Sequence, residues 1–97
     1  MALPGLNKQQ IEVIAQTSRD RYKVRIFKQF DLWQVTVTLL TDPPQAFQAL
    51  TSRGDLKTWR DLSGAIGYIQ ETCPDCQLIT VEVGSWEFTR SESPRVR

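Results

Sequence analysis

The sequence predicts an α+β fold, a two-layer sandwich in which a mainly antiparallel sheet of about five strands is covered by two helices. Two segments repeat apolar residues at helical spacing, while residues 22–39 alternate apolar and polar side chains. Glycine, proline and aspartate divide the chain into short units. The predicted order of elements is α-β-β-β-β-α-β.

The first helix is expected to begin after Asn7, which caps it, and Gln10 can reach back to complete a capping box. Residues 1–5, which include Pro4-Gly5, are expected to be a frayed lead-in. The apolar stripe of the helix consists of Ile11, Ile14 and Ala15.

Two long strands follow. The second of them, residues 33–39, is rich in β-branched side chains and ends at Pro43-Pro44, since proline cannot donate to a ladder. The reversal between the two strands is expected at Asp31-Leu32. Apolar and mostly cationic residues alternate along the first strand. One side of it carries Tyr22, Val24 and Ile26, and the other carries Lys23, Arg25 and Phe27.

A hairpin then leads into the second helix. Gly54 adopts positive φ without a steric penalty and is expected to join strands at 47–51 and 56–59. Asp61 can cap the helix, which ends before Pro74 because the residue preceding a proline is pushed out of the helical region. The helix crosses over, with right-handed chirality, to a last strand at 78–83 that is parallel in direction to the fourth.

Length and composition indicate one small domain. We expect residues 1–90 to form this domain and residues 91–97 to be a flexible basic tail. The sequence has no run approaching the roughly 18 apolar residues that a membrane span requires. A cytoplasmic location in a bacterial cell is therefore expected.

The residue types argue against an enzyme. The chain has no histidine, which is the commonest general base and the commonest metal ligand. The aspartates fall at turns and helix caps, where backbone roles explain them. We predict no catalytic residue, cofactor or small-molecule substrate, and we expect a binding function.

One short motif, Cys73-Pro74-Asp75-Cys76, matches a chemical pattern. A redox pair needs a lowered thiol pKa, whereas a helix C-terminus and neighbouring acids raise the pKa of a thiol. A zinc ion needs four ligands, so two chains would have to share one site. We expect two buried cysteines around a turn, and a thiol or inter-chain zinc protein is the weakest of the functional alternatives.

Charge is distributed unevenly, although the net charge is only +1. Cations crowd into residues 19–28, while residues 61–89 contain acids but no lysine or arginine. Lys57 and Trp59 are expected to share a sheet face with Arg25, forming a surface that binds nucleic acid by phosphate contact and base stacking. The predicted nucleic-acid-binding residues are Lys23, Arg25, Lys28, Arg53, Lys57 and Arg90.

Two alternatives to this surface follow from the same residues. If Trp59 is a core residue under a helix, the face loses its stacking element and only its charge remains. The rival function is a protein-protein interaction or homodimerisation module without a nucleic-acid role, in which a sheet edge or the acidic half of the chain meets a partner.

Residues 50–65 resemble a hairpin-helix unit of small accessory proteins of bacterial plasmids and integrative elements, some of them partition-associated. The similarity rests on the Arg53-Gly54 turn, the basic Lys57, the aromatic Trp59 and a helix opened by Leu62. It implies a nucleic-acid-associated accessory protein of a mobile element. The order of four strands and a helix is also similar to single-stranded-DNA-binding coactivators that dimerise through that helix, although their basic loop motifs are not evident.

Overall fold

Two helices cover one side of a six-stranded mixed sheet in the computed structural model, which describes residues 4–18 and 21–89. The α+β class and the two helices are thus confirmed. Arg90 and the predicted tail at 91–97 lie outside the described residues. The elements are β1 (Gly5–Leu6), α1 (Lys8–Ser18), β2 (Tyr22–Gln29), β3 (Leu32–Leu39), β4 (Gln45–Ala49), α2 (Leu62–Thr72), β5 (Ile79–Val83) and β6 (Trp86–Thr89). The strands are ordered β1-β4-β3-β2-β5-β6.

The N-terminus of α1 forms the predicted capping box. The backbone N–H of Gln10 donates to Asn7 Oδ1 at 2.9 Å, and the N–H of Asn7 donates to Gln10 Oε1 at 2.9 Å. These two bonds satisfy donors that the helix itself leaves free. One turn later Ile11 is fully buried against the sheet.

β2 and β3 pair antiparallel along their whole length, from Tyr22 with Leu39 to Gln29 with Leu32. The turn between them is Phe30-Asp31, one residue earlier than expected, and both residues have positive φ (55° and 63°). A two-residue hairpin needs this left-handed backbone to match the twist of its strands. Neither residue is the glycine that normally marks such a turn.

Two edge segments differ from the prediction. Residues 56–59 do not form a strand, and they touch the sheet only through single bridges between Leu50 and Leu56 and between Trp33 and Trp59. Gly5, the last residue of the expected lead-in, and Leu6 form the short strand β1, which is parallel to β4. The sheet thus lacks the predicted strand at 56–59 and has two further edge strands, β1 and β6, which bring the number of strands to six.

Asp61 is the N-cap and Cys73 the C-cap of α2, which therefore lies where it was predicted, although the Asp61 carboxylate makes no capping hydrogen bond. After the Cys73–Cys76 turn, β5 runs parallel to β2, with Val24 opposite Ile79. The sheet therefore contains two parallel ladders, β1–β4 and β2–β5, among its antiparallel ones.

Trp59 packs under α2. Its ring centroid is 5.0 Å from that of Tyr68, and a Cβ placed on Gly64 would lie 2.8 Å from Trp59 Cδ1. Gly64 therefore allows the first turn of the helix to lie directly on the indole. A Cβ on Gly67 would meet no atom within 4 Å.

The two helix glycines should respond differently to alanine. Gly67→Ala is expected to raise the free energy of unfolding by roughly 0.5–1 kcal/mol, since it only improves helix propensity. Gly64→Ala should lose this gain because its methyl group displaces Trp59. Urea denaturation of the two variants measures the difference, and equal stabilisation by both would contradict the contact between α2 and Trp59.

Candidate interaction surface

The two faces of the sheet have different characters. The face under the helices carries the core residues of β2 and β3, including Val24, Ile26 and Val35. The other face is open and polar, yet Gln34 and Thr36 on the central strand β3 are only 7% exposed. Thr36 lies between Arg25 of β2 and Gln48 of β4, and Gln34 lies beside Phe27. These side chains line a shallow groove of about 590 Å³ on the open face.

Arg25 lies on the open face and is paired with an acid. Its Nε donates to Glu82 Oε2 at 2.6 Å, and a second guanidinium nitrogen donates to Oε1 at 2.8 Å. The guanidinium also lies 4.2 Å above the ring of Phe27. The hydrogen bonds from Arg25 lower the pKa of Glu82. A bidentate pair of this kind leaves little charge for a phosphate.

Lys57 and Trp59 are on the opposite side of the sheet from Arg25. The bridge with Trp33 places Trp59 on the core face, and Lys57 Nζ is 5.5 Å from the ring centroids of both Trp59 and Tyr68. The expectation that Lys57 and Trp59 share a face with Arg25 is therefore wrong. The physical reason is that Trp59 is covered by α2, which was the alternative considered for this residue.

The other predicted cations are dispersed. Lys23 is exposed on the open face, opposite Thr38. Lys28 lies on the other side of β2, with its Nζ 5.8 Å from the ring centroid of Trp33, and Arg53 is exposed in the turn around Gly54. The structure does not gather these residues into one patch, and Arg90 is outside its described part.

Cys73 and Cys76 are buried, each about 1% exposed. Burial raises the pKa of the Cys73 thiol, so this thiol is a poor nucleophile at neutral pH. Within residues 4–18 and 21–89, no cluster of three ligating side chains could hold a metal ion. A zinc ion shared between two chains would require this end of α2 to open, because neither sulfur reaches the surface.

A run of large apolar side chains is exposed on the hairpin of β5 and β6. Val83, Trp86 and Phe88 are 41%, 70% and 56% exposed, and the rings of Trp86 and Phe88 stack with centroids 6.3 Å apart. Register pairs Phe88 with Val81 and Trp86 with Val83, so these side chains project on the helix side. We call Val83, Trp86 and Phe88 the aromatic strip.

The aromatic strip borders a groove because α2 does not extend over β6. The groove has a volume of about 600 Å³, and its walls include Ile66 and Ile69 of α2 and Val81 and Phe88 of the hairpin. Contiguous exposed apolar side chains beside a groove are a feature of protein contact sites.

The two edges of the sheet differ in protection. β1 has two residues and follows Pro4, so it offers little backbone for pairing. β6 has four residues, Trp86–Thr89, without lysine, proline or a bulge in its ladder to β5. Proteins normally use such devices, together with short strands and charged side chains, to block unwanted pairing at an edge; β6 has only its short length and Glu87.

No family model, curated protein or solved structure matches this chain. Among the described residues, no helix is long and apolar enough to cross a membrane. The sequence offered one signal for the aromatic strip: Trp86 and Phe88 alternate with Glu87 and Thr89 directly after Gly84, which is typical of a second hairpin strand. The predicted elements end with the strand at 78–83 and assign no structure to these residues.

The Arg25–Glu82 pair should make stability depend on pH. Because the folded-state pKa of Glu82 is lowered, its contribution is present above the unfolded-state pKa of about 4.3 and is lost as the pH falls through the folded value. We expect Glu82→Gln to lower the free energy of unfolding by roughly 0.5–1 kcal/mol at neutral pH. This difference from the wild type should shrink as the pH falls below the unfolded-state value.

Urea denaturation at several pH values measures this gap. Glu87→Gln is the comparison variant, because Glu87 faces Glu82 across the ladder and forms no salt bridge within the described residues, although its charge also acts on Arg25. Its effect on stability should be smaller than that of Glu82→Gln. A constant gap between wild type and Glu82→Gln at every pH would contradict an electrostatic origin.

Proposed function

We propose that this chain is a non-enzymatic protein-interaction module that binds through the aromatic strip and the free edge of β6. The observation that carries the proposal is an exposed, stacked Trp86–Phe88 pair on a strand that forms the edge of the sheet among the described residues. The resemblance of residues 50–65 suggests where the module works, as an accessory protein of a bacterial plasmid or integrative element.

The strip has the chemistry of an interface centre. Tryptophan and other aromatic side chains dominate binding energies because they bury a large apolar area with few rotatable bonds. Burying a side chain of this size contributes roughly 1.5–3 kcal/mol. The adjacent edge adds backbone hydrogen bonds, which is how an exposed sheet edge recruits another strand.

The cations support this choice over a nucleic-acid interface. Arg25 is held by Glu82 and Lys8 by Glu71 at 3.0 Å, while Lys57 lies against Trp59 on the helix side. A phosphate-binding surface needs several unpaired cations side by side. A protein partner needs only an exposed apolar surface, which the aromatic strip provides.

The module can be tested by capturing partners on immobilised full-length protein from a nuclease-treated lysate of its bacterial host. We expect the double variant Trp86→Ser, Phe88→Ser to lose the bound proteins, because both side chains are exposed and their removal spares the core. The variant Lys23→Ala, Lys28→Ala should retain them, also at high salt.

Circular dichroism and a thermal melt check that both double variants are folded. Capture that survives loss of the two aromatic residues but disappears with the two lysines would contradict the proposal.

A second candidate function is contact with nucleic acid along β2. Lys23 and Lys28 are exposed on this strand and form no ion pair with any residue that the structure describes. The two lysines lie on opposite faces of β2, so each would contact phosphates separately, which is compatible only with weak, sequence-independent binding.

This candidate predicts a specific salt dependence. Titration of a labelled single strand and a labelled duplex at two salt concentrations should show affinity falling with salt, and Lys23→Ala, Lys28→Ala should reduce the slope by about two. Binding of neither nucleic acid at low salt would exclude it.

A further inference from the structure

The backbone of β6 has its free hydrogen-bonding groups at alternate residues. Val83 and Trp86 flank the two-residue turn Gly84-Ser85, with φ of +61° at Gly84, and the residues that close such a turn hydrogen-bond to each other. Bonding then alternates along an antiparallel ladder. Trp86 and Phe88 therefore bond to β5, while the N–H and C=O groups of Glu87 and Thr89 point away from the sheet.

We propose that a second copy of this chain occupies the edge, with β6 pairing antiparallel to β6 around a two-fold axis at Phe88. This inference rests on the proposed function, since it names the partner of the same surface. Glu87 of each copy would exchange backbone hydrogen bonds with Thr89 of the other, and the two sheets would become one continuous sheet.

Side-chain alternation restricts the register. Directly opposite residues of an antiparallel pair project on the same face, so a two-fold axis at the middle of β6 lies at Glu87 or at Phe88. An axis at Glu87 sets two carboxylates directly opposite each other, which is destabilising. An axis at Phe88 sets ring against ring and places each Glu87 opposite an uncharged Thr89.

The Phe88 register also covers the aromatic strip. The strips of the two copies meet side by side on the helix side, and the groove beside each α2 becomes half of one apolar trough between two α2 helices. Roughly four backbone hydrogen bonds join the copies. Because β6 has four residues, the contact is small for an interface, and we expect a weak, concentration-dependent dimer.

In composition, the residues that follow β6 in the sequence are a poor match for the aromatic strip. The eight residues after β6 contain one large apolar side chain, Val96, together with three arginines. Among the four residues of β6, Trp86–Thr89, only Glu87 is charged. A second copy brings the matching apolar strip and the matching edge.

Disulfide trapping in the full-length protein tests the register. With the axis at Phe88, Phe88→Cys places two Cα atoms about 4.5 Å apart, within the range of a disulfide. Glu87→Cys places its two Cα atoms about 8 Å apart, which is too far. Oxidised glutathione should therefore cross-link Phe88→Cys, with both thiols oxidised and glutathione reduced, but not Glu87→Cys or the wild type.

A second cross-linking experiment, with a mixture of two variants, keeps the Phe88 side chain that the proposed contact uses. Chains carrying Glu87→Cys and chains carrying Thr89→Cys should cross-link to each other when mixed, and neither should cross-link alone. Non-reducing gels and mass spectrometry identify the products. Cross-linking of Glu87→Cys alone would overturn the proposed register, and the absence of any cross-link in all samples would overturn the dimer.

Sedimentation of the unmodified chain over a range of concentrations gives a second measurement. Thr89→Lys should tighten the dimer by about fivefold, because each lysine faces Glu87 of the other copy, and Thr89→Glu should weaken it by a similar factor. A chain that remains monomeric throughout overturns the dimer. Capture of host proteins through Trp86 and Phe88 would still support the interaction module, so the two proposals fail separately.

Discussion

The parallel ladder between β2 and β5 determines which part of the sheet the helices protect. α2 must return the chain from the Trp59 end of the sheet to the start of β5, and it does so over β3, beside α1. Its 11 residues extend about 16 Å. The hairpin of β5 and β6 follows α2 in the sequence and lies beside the part of the sheet that the helices cover. Its aromatic strip therefore stays exposed.

Regular periodicity was the reliable part of the sequence. The period-two alternation of Tyr22, Val24 and Ile26 and the capping box at Asn7 and Gln10 both correspond to local physics, and both are present. β1 could not be predicted, because two residues carry no period and their pairing with β4 is decided by tertiary contacts. The turn between β2 and β3 was predicted to within one residue, but its left-handed backbone at Phe30 and Asp31 was not, since it is imposed by the strands rather than signalled by glycine.

The candidate surface was less predictable than the fold. The direction of a side chain can be read from parity only inside a strand, and residues 56–59 are not in one. Lys57 therefore lies on the helix side together with Trp59. Arg25 pairs with Glu82 on β5, which is distant from it in the sequence. The sequence of the aromatic strip shows an alternation of residue types. Its exposure, however, depends on which part of the sheet α2 covers, and no local sequence pattern predicts that.

The position of β2 in the chain also has a consequence for folding. As a strand near the middle of the sheet, β2 needs a neighbour on each side, and its neighbours come from very different places: β3 follows immediately, whereas β5 lies more than half the chain away. During synthesis β2, β3 and β4 can assemble while the far side of β2 is still unpaired. Closure of this long loop is the slow, topology-limited event, and until it occurs a nascent chain presents an open edge to chaperones and to neighbouring chains.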